Sequence, residues 1–313
     1  VAGPIERAKN LIPQFNKPRQ LRLDDAKDGL REILWGLFLK CVIADQASLY
    51  VNDIYTNYDK YPGGTIFLGM LYFGLQVYGD FAGYSSVAIG VSKLFGFKLM
   101  RNFAYPYTSH SFSEVWRRWH ISLMSWFRDY VYKPLGGSKK GRFRTVINIL
   151  IVFALSGLWH GADWTFVMWG LFTAVLIILD YLKNIFGWQY ILDFKFLDGP
   201  VKFLRRPVQI IYLLTISSLA AAFFRAQSIG QTFDLFARMA NKTIIDTVPK
   251  HLPYLWFVVF IMSWEHWMRY RKSKHGLAIA DLHVAWRWSI YTLFLVLFFY
   301  FFNIGQEYIY FQF

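Results

Sequence analysis

Long apolar runs recur along this chain, at Thr65 to Phe97, Val146 to His160, Trp164 to Tyr181, Val208 to Phe224, Tyr254 to Trp267 and Ala285 to Phe302. A helix needs about 20 mostly apolar residues to cross the hydrocarbon of a bilayer, and in lipid each backbone polar group must find its partner within the protein. Several such runs in one chain predict an all-α polytopic membrane protein, with re-entrant or interfacial helices around a polar core. Charged residues are only 17% of the 313, where about 25% is usual for a soluble domain. Aromatic residues reach 20%, more than an interfacial belt requires, so many must line helix contacts or a cavity.

The net charge of +14 is broken up between apolar runs, and no nucleic-acid-binding motif accompanies it. Orientation in the membrane and contact with anionic lipid headgroups account for it better than nucleic acid does. The loop SKKGRFR at 138–144, the stretch 182–206 and the loop around Lys272 are rich in Lys and Arg. The positive-inside rule therefore puts Lys139, Arg205 and Lys272 on the cytoplasmic side and Asp234 outside. Ile33 to Ala44 is short and holds Lys40, which predicts half a span, tilted or re-entrant. Thr65 to Phe97 reads as one deep helix followed by a second, broken one. A single cysteine, Cys41, excludes an internal disulfide framework and a thiolate metal cluster.

Polar residues stand out against this background. Asp80 lies in YGDFAGYS, four residues ahead of Tyr84, and an acid there needs a cationic or hydroxyl partner facing inward. Gly79, Gly83 and Gly90 allow close helix approach. Pro106 forbids a continuous helix, and Ser111 with Glu114 has capping-box spacing for a new one. Continued at 100° per residue, that helix gathers Trp119, Leu123, Trp126, Phe127 and Tyr130 on one face, and Ser113, Arg117, His120 and Arg128 on another. Arg117, Arg118, Trp119, Arg128 and Asp129 are candidate substrate-binding or supporting residues, with Asp80 and Tyr84.

His160 lies in SGLWHGADW, with Ser156 one turn before it, Trp159 beside it and Gly157 and Gly161 close by. Burial penalises a charged imidazole, so this ring is expected to be neutral and able to accept a proton. Small glycines would leave room for a substrate hydroxyl, whose oxygen attacks a thioester or ester as His160 takes its proton. A histidine that bridges two helices fits the same spacing. No H-E-x-x-H or Cys/His cluster suggests a metal, and no G-x-S-x-G elbow suggests a serine hydrolase. The residues leave a transferase, or a transporter or flippase for an acylated or saccharide substrate.

VAGPIER at Val1 to Arg7, YGDFAGYS at Tyr78 to Ser85, FSEVWRRWHISLMSWFRDYVYKPLGG at Phe112 to Gly137, GLWHG at Gly157 to Gly161 and the closing NIGQEYIYFQF together resemble the membrane-bound O-acyltransferase family. The likeness is greatest to its bacterial alginate O-acetyltransferase branch. The resemblance implies an O-acetyltransferase of the bacterial cytoplasmic (inner) membrane, acting on a hydroxyl of a cell-surface or exported polysaccharide with an extracytoplasmic partner protein. It implies acetyl-CoA as a cytoplasmic donor cosubstrate, no tightly bound cofactor, His160 as the catalytic residue and His120 as the second functional histidine. It also implies one membrane-embedded acyltransferase core over residues 1–313. Relatives carry further helices ahead of the VAGPIER motif, so the chain is expected to be a C-terminal part of a longer enzyme, with low activity alone.

Overall fold

A computed structural model describes residues 3–20, 22–183, 185–188, 191, 193–199, 201–240, 254–271 and 277–302. The loop at Lys272 and the closing NIGQEYIYFQF lie outside the described residues, among which there are helices and no strand. The helices are α1 (Ala8–Phe15), α2 (Leu23–Thr56), α3 (Gly63–Leu94), α4 (Phe112–Arg118), α5 (Ile121–Phe127), α6 (Arg142–His160), α7 (Trp164–Leu182), α8 (Lys202–Arg225), α9 (Ile229–Met239), α10 (Leu255–Arg271) and α11 (Val284–Phe301). Five of these, α2, α6, α7, α8 and α11, are long and apolar enough to cross a membrane. The protein is a multi-pass membrane protein.

The chain divides into two compact units, Val1–Leu49 with Leu75–Tyr105 and Trp256–Phe313, and Tyr50–Gly74 with Pro106–Leu255. In the first, α2 and α3 run antiparallel along a seam of glycines. A Cβ at Gly36 would meet the Gly83 carbonyl oxygen at 2.6 Å, and one at Gly29 the Gly90 carbonyl oxygen at 2.7 Å. The seven-residue spacing of each pair keeps both contacts on one face, so the two backbones touch where larger side chains would hold them apart.

That seam overturns two expectations. Ile33 to Ala44 is no half-span but the middle of the continuous 34-residue α2, with a π-helical stretch at Phe38–Ala44 whose residues are all buried. The charge that suggested a break is neutralised in place: Lys40 Nζ donates to Asp80 Oδ1 at 2.6 Å and lies 2.9 Å from Asp45 Oδ1. Of the cationic or hydroxyl partner that its position calls for, Asp80 has the cation. Thr65 to Phe97 likewise forms one unbroken helix over Gly63–Leu94. Its glycines serve as a contact surface and leave the backbone ladder whole.

In the second unit α6 and α7 form a hairpin on the same principle. A Cβ at Gly157 would meet the Phe166 carbonyl oxygen at 2.3 Å, and one at Gly170 the Phe153 carbonyl oxygen at 2.2 Å. The turn between them is set by Asp163, whose side chain accepts from the Thr165 N–H at 3.2 Å and caps α7. His160 is consequently the last residue of α6, at the hairpin end.

Candidate active site

The segment from Ser111 begins as its spacing predicts. The Ser111 hydroxyl accepts from the Glu114 N–H at 3.2 Å, and the Glu114 carboxylate accepts from the His110 N–H at 2.8 Å. Burial alone would raise the Glu114 carboxyl, but the His110 N–H and the Arg118 guanidinium hold it below its ordinary value. Beyond about two turns the prediction of a single long helix fails. α4 closes with the Trp119 N–H on the Val115 carbonyl at 2.9 Å, and His120 follows with φ 44° and ψ 49°. A left-handed residue ends one helix, and α5 restarts with the Met124 N–H on the His120 carbonyl at 3.0 Å.

The break separates residues that a continuous helix would align. His120 is buried, whereas Arg117 and Arg128 are exposed, so the stripe of Ser113, Arg117, His120 and Arg128 does not exist as one face. Arg118 pairs with Glu114 at 2.8 Å, and Asp129 pairs with Lys133 at 2.8 Å and Arg128 at 3.2 Å. Lys133, then Arg128, holds the partly exposed Asp129 carboxyl well below the usual carboxylate range. Trp119 is partly buried. A π-helical turn at Arg128–Tyr132 ends the segment, ahead of Pro134, Gly136 and Gly137.

The turn at His120 brings together the two histidines that stand 40 residues apart in the sequence. Their ring centroids lie 6.5 Å apart, and the Trp159 ring is 5.9 Å from His120 and 4.9 Å from His160. Trp169 of α7 and Phe224 of α8 close on His160 edge-to-face at 5.1 and 5.2 Å. Trp116 stands behind, 5.6 Å from Trp169. Burial, then the neighbouring His160, pushes the His120 imidazole well below its ordinary pKa, which keeps it neutral at physiological pH. The buried Ser156 hydroxyl, one turn before His160, has no hydrogen-bond partner among the described residues.

The glycines around His160 do not leave the room expected of them. A Cβ at Gly161 would meet the Phe166 ring at 2.3 Å, and Gly157 faces the Phe166 backbone, so both positions are filled by α7. Asn148, three turns before His160, donates from Nδ2 to the Gly137 carbonyl at 2.8 Å and ties α6 to the Gly-Gly turn. Trp169, Phe224 and Phe166 were not candidates on sequence grounds, because nothing marks them among 64 aromatic residues (31 Phe, 20 Tyr and 13 Trp).

Asp80 and Tyr84 belong to the other unit, with the partly buried Tyr84 ring against Gly3. There the Tyr78 hydroxyl of the same YGDFAGYS motif donates to Glu265 Oε1 at 2.5 Å, both residues being buried. Glu265 lies in no recognisable sequence motif. Among the described residues no three His, Cys, Asp or Glu side chains gather where they could hold a metal ion.

The sequence model of the membrane-bound O-acyltransferase family matches residues 1–220. A probable alginate O-acetylase of Azotobacter vinelandii is 35% identical over 239 residues, 76% of this chain and 45% of the relative. A peptidoglycan O-acetyltransferase of Helicobacter pylori is 34% identical over 179 residues, 56% of this chain and 34% of the relative. A teichoic acid D-alanyltransferase of Bacillus subtilis is 32% identical over 187 residues, 56% and 47% of the two chains. The chain spans between about a third and a half of the length of the curated relatives it matches.

Proposed function

The chain belongs to the membrane-bound O-acyltransferase family and is similar to its alginate O-acetylase type, and on that premise we propose that it transfers an acetyl group to a hydroxyl of a cell-surface or exported polysaccharide. The observation that carries this reading is the pair of buried-site imidazoles, His120 and His160, with rings 6.5 Å apart in an aromatic enclosure. In the proposed step, neutral His160 takes the proton of the acceptor hydroxyl as its oxygen attacks the acetyl carbonyl of acetyl-CoA. The new C–O bond forms, the C–S bond breaks, and the departing thiolate recovers the proton as the CoA thiol.

The aromatic side chains around His160 limit the access of water, which would otherwise compete for the acetyl group. Ser156 offers a hydroxyl one turn from the reacting centre, to the imidazole or to a substrate oxygen. His120 completes the pair from the turn between α4 and α5. Residues 1–313 act as one acyltransferase core, with Asp80, Tyr84, Arg117, Arg118, Trp119, Arg128, Asp129 and Trp159 supporting it. The membrane is the bacterial cytoplasmic one. Lys139 and Arg205 face the cytoplasm, Asp234 faces outward, and an extracytoplasmic partner receives the acetyl group or presents the polysaccharide.

Membranes carrying the chain are supplied with acetyl-labelled CoA and a surface polysaccharide. Label is expected in ester linkage on the glycan, with release of CoA thiol. Movement of the glycan across the membrane with no ester label would overturn the transferase reading and establish a transporter.

A further inference from the structure

We propose that a basic groove at the start of α8 binds the phosphate of an anionic phospholipid headgroup. The groove has a volume of about 700 Å³, and Lys183, Lys202, Arg205, Arg206 and His110 line it together with Asp180 and Asp193. Every one of these residues belongs to the second unit. The acids are already engaged: Lys183 lies 2.5 Å from Asp180 and 2.7 Å from Asp193, and Arg205 holds both oxygens of Asp198. Four cations therefore meet three carboxylates, and Lys202 forms no ion pair among the described residues. Arg206 donates to the Thr108 carbonyl at 2.8 Å and meets the His110 imidazole, which fixes its guanidinium at the groove wall.

The placement of these charges on the helix is informative in itself. A helix N-terminus favours acids, because its unpaired N–H groups carry partial positive charge. The first turns of α8 hold Lys202, Arg205 and Arg206, with no acid in the first turn and no side-chain cap. Such an arrangement is relieved by an anion from outside, and a phosphate offers both the charge and several acceptor oxygens.

The surroundings select a lipid over a soluble phosphate. Phe186, Trp188, Ile191, Phe196, Phe203 and Leu204 flank the groove in sequence and are 40–72% exposed. Exposed aromatic and aliphatic side chains beside a cationic groove, at the ends of two apolar helices, match the boundary between acyl chains and headgroups.

The test is a lipid titration of the full chain in neutral detergent, read by native mass spectrometry and by thermal shift. Cardiolipin and phosphatidylglycerol should bind and stabilise, while phosphatidylcholine should not. Lys202→Gln should weaken anionic-lipid binding roughly fivefold, and Lys202→Gln with Arg206→Gln roughly thirtyfold, at about 1 kcal/mol per cation. Lys202→Arg should restore binding. Lys202 is exposed, so its single variant reports on binding even where the double variant folds poorly. Lys139→Gln with Lys140→Gln, in the basic loop at 138–144, should bind lipid as the parent does. Unchanged affinity in Lys202→Gln, or equal stabilisation by inorganic phosphate at the same concentration, would overturn the proposal.

Discussion

Replacing His160 by alanine is expected to lower acetyl transfer by roughly two to four orders of magnitude, the usual contribution of a positioned general base. The ring packs against Trp159, Trp169 and Phe224, with the His120 ring 6.5 Å away. The α6–α7 hairpin is held by backbone contact at Gly157 and Gly170 and by the Asp163 cap, none of which involves the imidazole. Membrane abundance should therefore stay close to that of the parent. Turnover near the parent level at equal abundance would remove His160 from the chemistry and leave it a packing residue.

The second large effect concerns stability in the other unit. Lys40→Met removes a cation that Asp80 and Asp45, both buried, share. Breaking a buried ion pair from one side strands its charges, at a cost of about 3–5 kcal/mol. The variant should unfold at markedly lower temperature in detergent and accumulate poorly in membranes. Combining it with Asp80→Asn and Asp45→Asn should recover most of the loss, since the acids then need no counter-ion. A lone Lys40→Met that melts with the parent would mean the cluster is wetted and its ion pairs carry little weight.

Much of this architecture can be read from residue order. The spans at Val146 to His160, Trp164 to Tyr181, Val208 to Phe224 and Ala285 to Phe302 coincide with α6, α7, α8 and α11 to within a few residues, six at the start of α8 and fewer elsewhere. Hydrophobic length is a strong signal because lipid leaves the backbone few alternatives. The need of Asp80 for a cationic or hydroxyl partner is visible too, and Lys40, which reads as a break in an apolar run, is the residue that meets it. What sequence hides is long-range or conformational. The left-handed turn at His120 has no Gly, Pro or Asn to announce it; histidine visits that region at a cost which the surrounding packing offsets. Wheel arguments carried across that turn put Arg117 and His120 on one face, and the structure separates them. The space at Gly157 and Gly161 depends on Phe166, and the mate of Tyr78 is Glu265, 187 residues away. Neither neighbour is legible in a local pattern.

The central claim is that His120 and His160 act as one unit, and a double-mutant cycle on acetyl transfer addresses it most directly. His160→Ala, His120→Asn and their combination are compared at equal membrane abundance; asparagine tolerates the left-handed backbone but supplies no imidazole. Residues that work together in one step lose most of the rate with the first change, so the double variant should be little slower than His160→Ala alone. Losses that multiply independently, or a His120→Asn variant with parental turnover, would contradict a shared centre.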